Sequence, residues 1–235
     1  MIKRIATIVL AGAISSPLLL MGRASAAPDD LTFAFGRRFP AVILIDDRPV
    51  TITSSYITNA VDVSLTIKSG NVNKTSRVFH RGQTWTFQTT FLPSDPVGAW
   101  SSTVVATGAE SSTQRAATVF LQHHTRIADF SARPRVILAG HATTVSGRLQ
   151  VQIHHRWVAL AGREIRIIAD SGTAPPPVTT AVTDGHGRFS IDVTPDKDTR
   201  YHAEFTDKQP PENEDATSRT IFVKVIKPHS GEHRR

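Results

Sequence analysis

The sequence contains no cysteine, and its two methionines, Met1 and Met21, both lie within the first 26 residues. The first absence excludes disulfide staples, thiol nucleophiles and thiolate metal ligands together, so the folded part has to be held by hydrophobic cores. The second leaves those cores to Val, Ile, Leu and Phe, whose rotamer choices are narrower than those of Met. No long apolar run follows residue 21, which excludes a further membrane-spanning helix. Hydrolytic signatures are missing as well: there is no G-x-S-x-G, S-x-x-K or H-E-x-x-H, and the D-x-D-x-D-G ladder of an EF-hand is absent. No catalytic residue is therefore assigned, and an enzyme is not expected.

What is present begins with an export signal. Lys3 and Arg4 give a basic start, Ile5 to Met21 is almost wholly apolar, and Ala24-Ser25-Ala26 offers small residues at a cleavage point. A permanent anchor would need the apolar run to continue, but Ser15-Ser16-Pro17 interrupts it and Arg23 closes it. Residues 1–26 are read as a signal peptide, and a secreted, extracellular mature chain without a membrane span is expected. Lipoprotein anchoring needs a cysteine and is excluded. Lys3, Arg4 and Arg23 leave with the signal, so 27 basic against 20 acidic residues becomes 24 against 20, a net charge of +4. That mild excess favours loose attraction to anionic polymers and gives no support to nucleic-acid binding.

Apolar residues in the remainder recur at every second position. Val63, Leu65 and Ile67 alternate with polar neighbours, as do Trp85, Phe87 and Phe91, which is strand periodicity and not helix periodicity. Short strands separated by polar turns predict one antiparallel sandwich over 27–122. Gln122 to Arg126 reads as a short polar bridge, and a second strand set occupies 127–227. Residues 228–235 form a polar tail. Pro175-Pro176-Pro177 and the acidic run Pro210 to Asp215 are expected to be loops.

Four segments of the second set, Thr144 to Leu149, Trp157 to Gly162, Thr183 to Phe189 and Tyr201 to Phe205, occur in an order that resembles the Ig-like, carboxypeptidase-regulatory-like modules of secreted actinobacterial proteins. The resemblance covers roughly residues 127–226 and implies a non-catalytic sandwich, without carrying over a ligand site. The fold class expected is all-β, two tandem Ig-like antiparallel β-sandwich domains after a signal peptide. Gly147 and Gly162 are read as relieving strand ends, and Asp184-Gly185-His186-Gly187 as a hairpin turn with two glycines at positive φ.

The candidate chemistry lies in histidines, loop acids and tryptophans. His123-His124 and His154-His155 are adjacent pairs. Neighbours on a strand face opposite ways, so one pair is not expected to chelate one ion, although His154 with Gln152, or a meeting of the two pairs, would give a zinc or copper site. Asp46, Asp47 and Asp95 stand in turns and, with His154, are the candidate metal ligands. Ca²⁺ is the ion that suits such acids, although a solubilising role is the plainer reading for Glu212, Glu214 and Asp215. Trp85 and Trp100 sit in strand alternation and are expected in the core, whereas Trp157, beside a turn, is the candidate surface contact. The leading function is a secreted non-enzymatic binding or structural protein contacting an extracellular glycan, cell wall or protein. A calcium- or transition-metal-binding protein is the alternative. A third reading is a secreted inhibitor presenting the loop Ala174-Pro175-Pro176-Pro177.

Overall fold

The computed structural model describes residues 31–208 and 210–227. The signal peptide read at 1–26 and the tail read at 228–235 lie outside the described residues. Among the described residues every regular element is a β-strand.

The first sandwich is built from β1 (Phe33–Arg37), β2 (Val42–Ile45), β3 (Val50–Thr58), β4 (Asp62–Ser69), β5 (Val72–Lys74), β6 (Ser76–Arg81), β7 (Thr84–Phe91), β8 (Gly98–Thr107) and β9 (Ser112–His123). One sheet runs β1-β3-β7-β6 and the other β2-β9-β8-β4-β5. Their neighbours are antiparallel except β2, which lies parallel to β9. Pro40 stands between β1 and β2 and has no N–H to give to a ladder, so the chain leaves one sheet there and enters the other.

The same plan recurs with β10 (Thr125–Arg133), β11 (Val136–Leu138), β12 (Thr143–Ile153), β13 (Arg156–Ala159), β14 (Glu164–Asp170), β15 (Val178–Val182), β16 (Arg188–Val193), β17 (Thr199–Phe205), β18 (Ala216–Thr217) and β19 (Ile221–Ile226). β12 carries β10 on one side and β16 and β13 on the other. The facing sheet runs β11-β19-β17-β14-β15, with β18 beside β17 and β11 again parallel to the final strand. Pro134 makes the crossing that Pro40 makes earlier. An opening strand divided between two sheets, with the last strand parallel to its second half, is an immunoglobulin-type layout in both sandwiches.

Alternation fills the cores. In β8, Trp100, Ser102, Val104 and Ala106 point inward while their neighbours face out. Trp100 centres one cluster with Ile43, Ile67, Phe91 and Leu121, and Phe87 centres another with Tyr56, Trp85 and Val104. The second sandwich closes on Val145, Leu149, Ile167, Phe189, Tyr201 and Phe205. Trp85 and Trp100 are thus core residues.

Several local expectations are corrected. Gly147 lies inside β12 and not at a strand end, and its lack of a side chain makes room for Phe189, whose Cζ would stand 2.6 Å from a Cβ there. The turn at 184–187 joins β15 to β16, which pair with different strands, so it links two sheets and closes no hairpin. Only its Gly187 has positive φ. Asp184 Oδ1 accepts the N–H groups of His186 and Arg188, at 2.8 Å each, and shapes the turn instead. The last strand of the first sandwich, expected from Ala117 to Leu121, starts already at Ser112, and β1 and β6, which no alternation marked, have exposed, partly basic faces. Gln122 and His123 finish β9 and Thr125 opens β10, so His124 alone stands between the two.

Candidate functional site

Most of the titratable side chains singled out in the sequence gather where β9 passes into β10. Three segments meet there: the Asp46–Pro49 turn after β2, the His154-His155 turn between β12 and β13, and the loop that follows β17.

His154 and His155 are the two central residues of a hairpin whose flanking pair is Ile153 and Arg156. Both have left-handed backbones, φ 49° and 55°. Two positive φ angles are what a two-residue type I′ turn requires, a task usually given to Asn-Gly. The expectation that adjacent histidines face opposite ways assumed a strand, and it fails because the pair occupies a turn. Both imidazoles reach one carboxylate of the first sandwich: His154 Nδ1 lies 3.5 Å from Asp47 Oδ1, and His155 Nε2 lies 3.0 Å from Asp47 Oδ2. Asp46 is engaged within its own turn, where Oδ1 accepts the Arg48 N–H at 2.9 Å.

On the other flank the loop after β17 grips the end of β9. Glu212 O accepts the His123 N–H at 3.0 Å, and the Glu214 N–H donates to His123 O at 2.9 Å, a parallel bridge of His123 with Asn213. His124 Nδ1 stands 3.2 Å from Glu214 Oε2. Asp207 organises the loop: its Oδ2 accepts the backbone N–H groups of Glu212 and Asn213 and the Asn213 side-chain amide, at 3.0, 2.9 and 2.8 Å. Burial pushes the Asp207 carboxyl upward, but these hydrogen bonds, led by Asn213, outweigh it and hold the group below the ordinary carboxylate range. The run read as a solubilising acidic loop is therefore built on a buried aspartate that precedes it.

His123 Nδ1 is buried and has no hydrogen-bond partner among the described residues. Burial lowers this imidazole's pKa, the Ile45 carbonyl and Glu212 oppose the change, and His154 and His124 add to it. The two histidine pairs thus share one electrostatic neighbourhood. Beside them a groove of about 470 Å³ runs between the sandwiches, lined by Val42, Leu44, Phe120, Gln122, Pro211 and Glu214 among others.

The other sequence candidates lie elsewhere. Asp95 forms an ion pair with Lys74 and accepts the Leu92 N–H at 2.6 Å, which ties a turn of the first sandwich. Trp157 is half-buried on β13, with the Arg126 guanidinium 4.1 Å from its ring centre, so a cation already lies over one face of the indole. Among the described residues no group of three or more His, Asp or Glu side chains is gathered closely enough to hold a metal ion. Also among them, no helix is long and apolar enough to cross a membrane.

No protein family and no curated protein matches this sequence. Similar solved structures include the D00-D0 domain of intimin, 15% identical over 83% of this chain and 99% of that one, with a TM-score of 0.31. The I67–I69 fragment of titin is 7% identical over 83% of this chain and 65% of its own, with a TM-score of 0.35. The D1–D4 ectodomain fragment of ICAM-5 is 11% identical over 85% of this chain and 52% of its own, with a TM-score of 0.34.

Proposed function

We propose that this chain is a secreted, non-enzymatic binding or structural protein, two immunoglobulin-type sandwiches joined stiffly enough to present their surfaces to an extracellular protein, glycan or cell wall as one unit. The observation that carries the reading is the junction. One residue separates β9 from β10, and loops of both sandwiches are occupied in gripping that point from two sides. Loops used this way hold the two sandwiches together. Kinship with the secreted actinobacterial modules over 127–226 belongs to the same reading.

The test is a pull-down of glycans, cell-wall material and secreted proteins by the mature chain, run beside a hydrolase panel. Retention of one class without turnover is the expected result. Turnover abolished by a single serine or carboxylate substitution would sink the proposal. A Ca²⁺- or transition-metal-binding protein is the second reading, favoured by the contact of Asp47 with His154, two of the four sequence-named ligands. A melting temperature unchanged by chelator and by added Ca²⁺ or Zn²⁺ would count against it.

A further inference from the structure

The first sandwich is open along one seam where the second is closed. β9 pairs with β8 from Ser112 to Leu121, whereas β2 covers its other edge only from Phe120 to His123. The Phe120 N–H donates to Ala41 O, away from β8. By the two-residue repeat of a strand, Thr118, Ala116 and Gln114 turn their N–H and C=O groups to that same side, and among the described residues no strand pairs there. The inward face is open as well. Val119 and Leu121 are buried in the core, and alternation aims Ala117 and Arg115 the same way, yet both are exposed.

The gap forms a groove of about 230 Å³ whose apolar wall includes Phe35, Phe39, Tyr56, Val104, Ala117 and Val119. Arg38 and Arg115 also line it, and no carboxylate does. Arg38 rests 5.0 Å from the Phe35 ring centre, and Arg115 bonds the Gln114 carbonyl at 3.0 Å. Neither arginine has an ion-pair partner among the described residues. In the second sandwich the corresponding seam is bridged, because Arg219 donates from Nε and Nη2 to Phe130 O at 3.1 and 3.0 Å, and Ile221 and Val223 beyond it are buried. An arginine thus closes one seam and lines the open groove of the other.

We propose that this seam is a strand-accepting site. It takes an extended segment of a partner protein that pairs along Gln114 to Thr118, inserts apolar side chains at alternate positions toward Phe35 and Tyr56, and meets Arg38 and Arg115 with carboxylates. An unpaired edge supplies the backbone hydrogen bonds, the apolar wall supplies side-chain selection, and the uncompensated cations select acidic sequence. The inference rests on the binding role proposed above and names its partner class.

The probe is a labelled peptide of about ten residues, alternating Val and Thr with Asp at both ends. Its controls are a version with Lys at both ends and a version with proline at alternate positions. The full chain is titrated at low salt and read by fluorescence anisotropy. Saturable binding of the acidic peptide alone is expected. Ala116→Pro removes an N–H that points away from β8, so the β8–β9 ladder survives; this variant should weaken binding at least tenfold while the thermal transition stays cooperative. Arg38→Glu with Arg115→Glu should transfer preference to the Lys-ended peptide, a gain that unfolding does not produce. If no peptide binds, or if neither variant alters binding, the proposal is overturned, whereas a glycan or cell-wall pull-down would still stand. If the chain forms a dimer that Ala116→Pro disperses, the seam belongs to a second copy and the proposal is likewise overturned.

Discussion

Trp100 has no exposed surface, stands edge-on to Phe91 at 5.3 Å, and donates its indole N–H to Pro96 O at 2.9 Å. Lys74 Nζ lies 5.9 Å from its ring centre. Trp100→Ala is expected to cost about 3–5 kcal/mol in denaturant unfolding, because it leaves a cavity under the ion pair of Lys74 with Asp95. Gly187 makes a sharper backbone test. Its φ is +71°, and a Cβ would fall 2.4 Å from Leu149 O, whereas Gly140 has φ +79° and open space around it. Gly140→Ala should cost about 1 kcal/mol, and Gly187→Ala clearly more, read as the difference between the two melting curves. Acid stability should divide between two residues. His123 binds its proton less tightly folded than unfolded, so its contribution is complete above the ordinary imidazole range and is lost as pH falls through the lowered value. Asp207 is also depressed, so its contribution is complete above the ordinary carboxylate range and is lost as pH falls through its own lowered value. His123→Gln should flatten the upper part of the melting-temperature curve against pH, and Asp207→Asn the lower part.

At the scale of elements, the His154-His155 hairpin sets two energies against each other. A non-glycine residue at positive φ costs about 1–3 kcal/mol, while exposed contacts such as those to Asp47 contribute about 0–1 kcal/mol each. Replacing the pair by Asn-Gly should therefore raise the melting temperature even though both contacts are lost. Faster hydrogen exchange in the Asp46–Pro49 turn of that variant would show that the histidines hold the neighbouring element rather than their own. The strands themselves were largely readable. Val63, Leu65, Ile67, Trp85 and Phe87 alternate because one face of each strand meets a core. β1 and β6 were not readable, because an exposed strand carrying Arg37, Arg77 and Arg81 has little core to advertise.

For the whole molecule, the junction predicts coupling. With β9 continuing almost directly into β10 and held on both flanks, calorimetry of the chain should record one transition. Asp207→Ala, which withdraws the acceptor that organises the clamp, should divide it into two. One transition in both proteins would show that the coupling resides elsewhere. The candidate site was legible only in its ingredients. The histidine pairs, Asp47 and the acidic loop were each conspicuous, but their meeting depends on segments roughly 30 to 170 positions apart in the chain being brought together by two sandwiches, and alternation in a sequence is a local signal.

The sequence by itself determined the all-β class, the absence of covalent staples, and the cores of Val, Ile, Leu, Phe and Trp. These follow from spacing and side-chain chemistry, all properties of neighbouring residues. Tertiary structure alone decided that His154 and His155 share one carboxylate, that Asp207 builds the clamp, and that the seam beside Gln114 to Thr118 stays open while its counterpart is bridged by Arg219. Each of these depends on which distant backbone stands across a gap, and the period of a strand states only which way a side chain points.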